Sequence, residues 1–430
     1  MRVSSRAAVL VVYVTAMCMN GLDATIVNPA LFVIAADLGV TPAASNLVEG
    51  AFLASLSVSM PLAGWLCDRY GAGRVFLAAL TLFTAASALC GAAWDLGSLV
   101  GFRVLQGIGG GVLTPAGMTM LFTAYRPEER MSLSRYIVVP TALAPVLGPV
   151  LGGLLAEHLS WRWAFLLNVP FGLAVILLGA VTAGVLRPVP AAAAAAVTTG
   201  PADGLVNGPV GGPVDGPAPG SGQAGSGPRG LWGLVDLLGL RLLAERGFLR
   251  GTVSASLSAA GLMGMLFVFP LMYQDGRGAS AADAGLVIFP EALGLMAAGF
   301  LVDRACARWG ERAVIVLGML GGAALFAALA LTEPGPWTLR AIMFSVGLVL
   351  GQAVTAVQIS SFTTVAPPTM GRAMALFQSL RMLGGALGVA VCALAVPSGY
   401  PAAMLVATAF LLAAALAAPA GGTRPSPPHG

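Results

Sequence analysis

Apolar runs long enough to cross a bilayer constrain this chain more than any other feature. A crossing helix needs roughly 20 mainly apolar residues. Twelve stretches qualify, at about 8–34, 43–66, 74–93, 97–122, 133–157, 163–186, 249–273, 281–302, 312–332, 338–364, 372–396 and 401–419. Of the 430 residues, 57% are hydrophobic and only 9% charged, far from the composition of a soluble domain. The expected fold class is all-α: a polytopic membrane protein of 12 transmembrane helices in two pseudo-symmetric six-helix halves.

The arginines predict orientation. All 22 basic residues are arginine. With the N-terminus in the cytoplasm, 17 of them fall on the cytoplasmic side and only Arg162, Arg277 and Arg340 outside, a strong positive-inside signal. Both termini are therefore expected in the cytoplasm of a bacterial cell, with the chain multi-pass in its inner membrane. The first apolar run is too long for a signal-peptide core and stays as a mature helix. The reading divides the chain into a six-helix bundle at 1–186, a disordered cytoplasmic linker rich in Pro, Gly and Ala at 187–230, an interfacial helix at 231–248, a second six-helix bundle at 249–420 and a disordered tail at 421–430.

Charge recurs where the two halves correspond. "GWLCDRYGAGR" (64–74) lies between spans two and three, and "GFLVDRACARWGER" (299–312) between spans eight and nine. Gly64, Asp68 and Arg69 align with Gly299, Asp303 and Arg304, while Gly71 and Arg74 complete the first copy. A second echo relates "APVLGPVLGG" on span five to "LGGALGVAV" on span eleven. Such doubling fits a transporter whose halves rock around a midplane site. Asp68, Arg69, Arg74, Asp303 and Arg304 would then latch a cytoplasmic gate; the competing explanation is that they only mark topology.

Five ionisable residues lie within spans: Asp23, Glu49, Arg103, Glu291 and Arg381. Each is expensive in hydrocarbon and needs a partner or a function. Asp23, Glu49 and Arg103 fall at similar depth, which suits an acid that exchanges a proton beside a fixed base. Glu291 and Arg381 fall near the middle of spans eight and eleven and are expected to form a second pair, structural or coupling. The five cysteines show no CxxC spacing and read as buried apolar residues. His158 and His429 are the only histidines, with no metal-ligand cluster, no nucleophile–base spacing and no phosphate loop. Neither an enzyme nor a receptor is expected, and no catalytic residue, metal, cofactor or nucleic-acid partner.

Residues 15–186 resemble the drug:proton antiporter, multidrug-efflux branch of the major facilitator superfamily, and the second half resembles it more loosely. The resemblance rests on "LDATIVNPAL", "GWLCDRYGAGRV", "RVLQGIGGG", "APVLGPVLGG" and "WRWAFLLNVP". That branch commonly has fourteen helices, and the linker here stands in place of two of them. The resemblance implies a major facilitator fold, proton coupling through Arg103 and Asp23, and an antiporter motif made by Pro145, Gly148, Pro149, Gly152 and Gly153. It also implies a cavity walled by spans one, four, seven and ten, which supply Asn20, Asn28, Gln106, Met263, Tyr273, Gln274, Gln352 and Gln358. Few amides among apolar and Met side chains suit an amphipathic organic molecule. The expected function is proton-coupled export of amphipathic drugs or antibiotics by alternating access, by a monomer in the lipid bilayer whose partners are that substrate and protons. Proton-coupled import of a small organic solute is the alternative on the same fold.

Overall fold

The structure, a computed structural model, describes residues 3–125, 143–144, 146–181, 240–363, 365 and 370–419. Among these residues all regular structure is helical. Eight helices are long and apolar enough to cross a bilayer, a bent pair makes a ninth, and three shorter apolar helices bring the described total to twelve. The first half comprises α1 (Val3–Ile26), α2 (Asn46–Ser59 continued by Leu62–Tyr70), α3 (Ala72–Gly91), α4 (Leu96–Ala124), α5 (Val146–His158) and α6 (Asn168–Val181). The second comprises α7 (Arg246–Arg277), α8 (Ala281–Trp309), α9 (Glu311–Leu331), α10 (Pro336–Phe362), α11 (Met370–Ala395) and α12 (Tyr400–Leu416). The chain is a multi-pass membrane protein.

Two prolines break what the sequence reads as continuous spans. Pro29 opens a 3₁₀ turn, Asn28–Ala30, after α1, and the chain resumes as a short helix, Leu31–Asp37. Pro61 caps the second arm of α2, which departs from the first by 52°. Proline lacks the N–H that would bond one turn back, so the helix yields there. Helix α4 starts on a reciprocal cap, in which Asp95 accepts from the Ser98 amide at 2.7 Å. Those hydrogen bonds from Ser98 hold the Asp95 carboxyl, outside the membrane helices, below its ordinary range.

The expected interfacial helix at 231–248 differs. Residues 231–239 lie outside the described residues; Leu240–Ala244 is a 3₁₀ turn, and α7 already begins at Arg246, three residues before the expected span. The linker at 187–230, the tail at 421–430 and Pro145 also lie outside the described residues.

The two halves repeat each other in detail. On α4, Gly107 and Gly111 let the helix lie directly on the backbone of α2, at Phe52 and Leu56; on α10, Gly347 and Gly351 do the same on α8, at Glu291 and Leu295. Small residues one turn apart allow such close approach. This packing makes Glu291 the structural counterpart of Phe52 and Leu295 that of Leu56, a constant offset that also relates Cys67 to Cys306 and Gly71 to Gly310. The sequence alignment of Gly64, Asp68 and Arg69 with Gly299, Asp303 and Arg304 is therefore one helical turn out of register. The structural counterparts of Asp68 and Arg69 are Ala307 and Arg308, and the acidic copy, Asp303, sits about 6 Å farther up its helix. The charged pattern therefore stands one helical turn farther from the Gly310 corner than its first copy stands from Gly71, on nearly the same face of the helix.

Candidate functional site

The intramembrane charges of the first half form one sealed cluster. Asp23 on α1 pairs with Arg103 on α4, Nη1 to Oδ2 at 2.6 Å, and its second oxygen accepts from Gln106 Nε2 at 2.8 Å and Asn168 Nδ2 at 2.9 Å. Gln106 sits one turn after Arg103 and returns its amide oxygen to the same guanidinium at 2.9 Å. Ser87 on α3 accepts from Gln106 and Asn168 and donates to the Phe165 carbonyl at 2.8 Å. Arg103 Nε donates to the Val48 carbonyl on α2, and its guanidinium lies 4.0 Å from the centre of the Phe52 ring. Asp23 and Arg103 are each only 1% exposed. A buried ion pair is tolerated when its remaining donors and acceptors are also satisfied, and here residues of five helices, α1 to α4 and α6, build the network that satisfies them.

Glu49 behaves differently. It is buried on the first turn of α2, within electrostatic reach of Arg103, yet neither carboxyl oxygen has a hydrogen-bond partner among the described residues. Two acids and one base thus share a layer, as the sequence predicts, but only Asp23 holds the base.

The face of the molecule opposite the N-terminus of α1 is closed by contacts between halves. Helix α5 is wedged there between α1 and α8. A Cβ at Gly148 would overlap the Thr25 hydroxyl, one at Gly152 the Ile26 carbonyl, and one at Gly153 the Ala281 carbonyl. Gly285 of α8 in turn clears the carbonyl of Pro149. Two of the motif glycines, Gly148 and Gly152, therefore fit the partner within the half, and Gly153 the partner across it. Around them, Glu157 accepts from the Ala282 amide at 3.1 Å and Gln274 donates to the Pro29 carbonyl at 3.0 Å, and one apolar core runs from Ile26 and Leu31 to Phe267 and Leu271. Beside the seal, Asp37 receives Trp161 Nε1 at 2.8 Å and Arg162 Nη1 at 2.9 Å.

On the terminal face the gate charges make no such link. Asp68, Arg69, Asp303 and Arg304 are exposed and, among the described residues, none forms an ion pair with the other half. Arg69 lies over its own helix's Trp65 and Tyr70, and Arg304 donates to the Phe300 carbonyl one turn back. Arg74 lines an apolar groove with Tyr70 and Val75.

Between the halves lies a cavity of about 140 Å³ lined by Leu53 of α2, Ser258, Ala259, Leu262 and Met263 of α7, Glu291 and Leu295 of α8, Leu350 and Val354 of α10, and Arg381, Met382 and Gly385 of α11. Glu291 and Arg381 face it together but do not form the ion pair expected from the sequence; Arg381 Nε donates to Gln378 at 2.9 Å instead. Of the expected cavity amides, Gln106 belongs to the Asp23 cluster, Gln274 to the far-face seal, and Asn28 is buried in the turn after α1 with its oxygen unpartnered. Asn20 donates to Thr114 at 3.3 Å, Tyr273 stacks on Phe269, Gln352 is half-buried and Gln358 exposed. Asn168 and Ser87 were not singled out by charge, since both are neutral; the stretch "WRWAFLLNVP" held the only signal for Asn168.

Residues 13–389 match the family model described as Major Facilitator Superfamily. A relative from Serratia proteamaculans that carries the name multidrug resistance protein MdtD is 29% identical over 405 residues, covering 88% of this chain and 83% of its own. A relative of the same name from Cronobacter sakazakii is 31% identical over 403 residues, with coverage of 87% and 83%. Among solved structures, the nucleoside transporter NupG superposes with a TM-score of 0.70 at 15% identity, over 96% of this chain and 98% of that one. A bacterial homologue of the human lysosomal transporter Spinster gives 0.70 at 17% identity, over 97% of each. The fold is that of these transporters, and the chain belongs to the Major Facilitator Superfamily.

Proposed function

We propose that the protein is a proton-coupled antiporter that exports amphipathic organic molecules, with the terminal face in the cytoplasm and the α5–α8 seal toward the outside. The observation that carries this reading is the Asp23–Arg103 pair: an acid and a base locked together inside the first bundle, with a second acid on α2, Glu49, that has no hydrogen-bond partner among the described residues. The 17-to-3 distribution of arginines supports the orientation, and the relatives' names support drug-type substrates.

In the described state Asp23 fixes Arg103. A proton delivered to Asp23 removes the negative charge that holds the guanidinium, and Arg103 then has Glu49, the other buried acid within its electrostatic reach, as an alternative partner. Shifting Arg103 toward α2 pulls on the helix that meets α11, where Ser57 donates to the Ser379 carbonyl across the two halves. The gradient thus biases a bistable contact between halves, as alternating access requires. No cofactor is needed, because the free energy comes from the proton.

The test is exchange in proteoliposomes carrying a lipophilic fluorescent amine. An imposed proton gradient should drive transport of the amine against its own gradient, and Asp23→Asn should lower that rate by more than about tenfold while leaving the protein folded. Transport that is indifferent to the gradient, or full coupling in Asp23→Asn, removes the proposal.

A further inference from the structure

The second half carries two opposite charges that face one another's cavity without neutralising each other. Glu291 is 6% exposed and accepts no hydrogen bond and joins no ion pair among the described residues; Arg381 has only the neutral amide of Gln378. Both positions are rigid. The Glu291 carbonyl lies directly against Gly347 of α10, and α11 is held on the α7 backbone by Gly384 and Gly388 against Ser256 and Ala260. These contacts hold the two backbones, and the side chains as placed line the cavity without pairing.

The contrast with the first half is informative. There, Asp23 and Arg103 are paired, capped by amides and almost fully buried. In the structural register Glu291 replaces Phe52, the residue on which Arg103 rests, and the position matching Arg103 is Met343. The second half thus lacks the fixed base that its acid would need, and turns the acid toward the space between halves. Around it the wall is apolar: Leu53, Met263, Leu295 and Met382. Unpaired charges of opposite sign in such a wall are costly unless something brings both counter-charges.

We infer that Glu291 and Arg381 form a two-point site for an amphipathic zwitterion, the ligand's protonated amine meeting Glu291 and its acidic group meeting Arg381. The planar guanidinium suits a carboxylate by two parallel hydrogen bonds, and the aryl or alkyl body between the ligand's charges lies on Leu53, Met263 and Met382. Because the cavity of about 140 Å³ is smaller than a site for a whole drug-sized molecule, it takes the charged core while the rest of the ligand extends between the halves. Gly385, which faces Met263 of its own half and Leu53 of the other, leaves the room for it. This deepens the transport reading above by naming the substrate's charge class.

Four probes on one naphthalene scaffold test it: amine plus carboxylate, amine alone, carboxylate alone, and neither. Binding is read on the purified full-length protein by quenching of tryptophan fluorescence, independently of any transport. The zwitterion should bind at least about tenfold more tightly than the uncharged probe. Glu291→Gln should erase the advantage of the amine and spare that of the carboxylate, and Arg381→Gln should do the reverse, with the uncharged probe unchanged as the control for folding. Equal binding of all four probes to the wild-type protein overturns the inference without any variant, as does equal loss in both variants across the charged probes. Charge-selective binding without proton-driven exchange would instead leave the site standing and remove the antiport proposal.

Discussion

Gly71 and Gly310 hold the same backbone conformation at equivalent corners of the two halves, φ 86° and ψ 134° in one, φ 83° and ψ 150° in the other. Each ends one helix and starts the next, and each amide bonds back to a cysteine carbonyl, Gly71 to Cys67 at 2.8 Å and Gly310 to Cys306 at 2.9 Å. This corner, rather than the Asp-Arg pair that precedes it, is the point at which the repeat is in register.

A side chain is disfavoured in that conformation by about 1–3 kcal/mol. Gly310→Ala meets no neighbouring atom, so its cost is one of backbone strain alone. It should lower the thermal unfolding midpoint of the purified protein. An unchanged midpoint for the alanine variant would mean that the corner relaxes.

Asn168 holds the acid of the cluster without bearing charge. Asn168→Ala leaves Asp23 Oδ1 and the Ser87 hydroxyl each short of one donor, a loss of about 1–3 kcal/mol for buried groups. Proton-driven exchange should fall by about tenfold or more, with binding of uncharged probes retained. Full exchange in this variant would show that Gln106 and Arg103 suffice.

The far-face seal depends on backbone contact. Gly153→Val places two methyl groups where the Ala281 carbonyl now lies, and α5 and α8 must separate. A single cysteine at Ala30, fully buried in the seal, should then react with an impermeant maleimide from the far side much faster than in the parent. Unaltered labelling would place the barrier elsewhere.

Charge alone does not predict importance. Arg162 and Asp37 form an ion pair as short as many buried ones, at 2.9 Å, but their side chains are 35% and 47% exposed. Exposed pairs contribute at most about 1 kcal/mol. Arg162→Ala should therefore leave exchange intact and shift unfolding only slightly, whereas Arg103→Ala, which strands Asp23 in a buried site, should abolish exchange; similar losses from both would contradict the burial argument.

Hydropathy and the placement of arginine were enough to read helices, their number and the twofold repeat, because a bilayer forces each crossing to satisfy its backbone internally and leaves a periodic trace in the chain. The same reasoning found Asp23, Arg103, Glu49, Glu291 and Arg381, since charge in hydrocarbon is conspicuous wherever it falls. It could not say which of them touch. Asp23 and Arg103 are 80 residues apart in sequence and 2.6 Å apart in space, while Glu291 and Arg381 share a cavity and stay unpaired; helix rotation and tilt, set by glycines that lie against another helix's carbonyls, decided both. The longer spacing from Gly299 to Gly310 than from Gly64 to Gly71 is legible in the sequence. A shift of four residues almost preserves the face of a helix, however, so only the packing of glycines against the neighbouring helix decided that the halves superpose on the corners, Gly71 and Gly310, and not on Asp68 and Asp303.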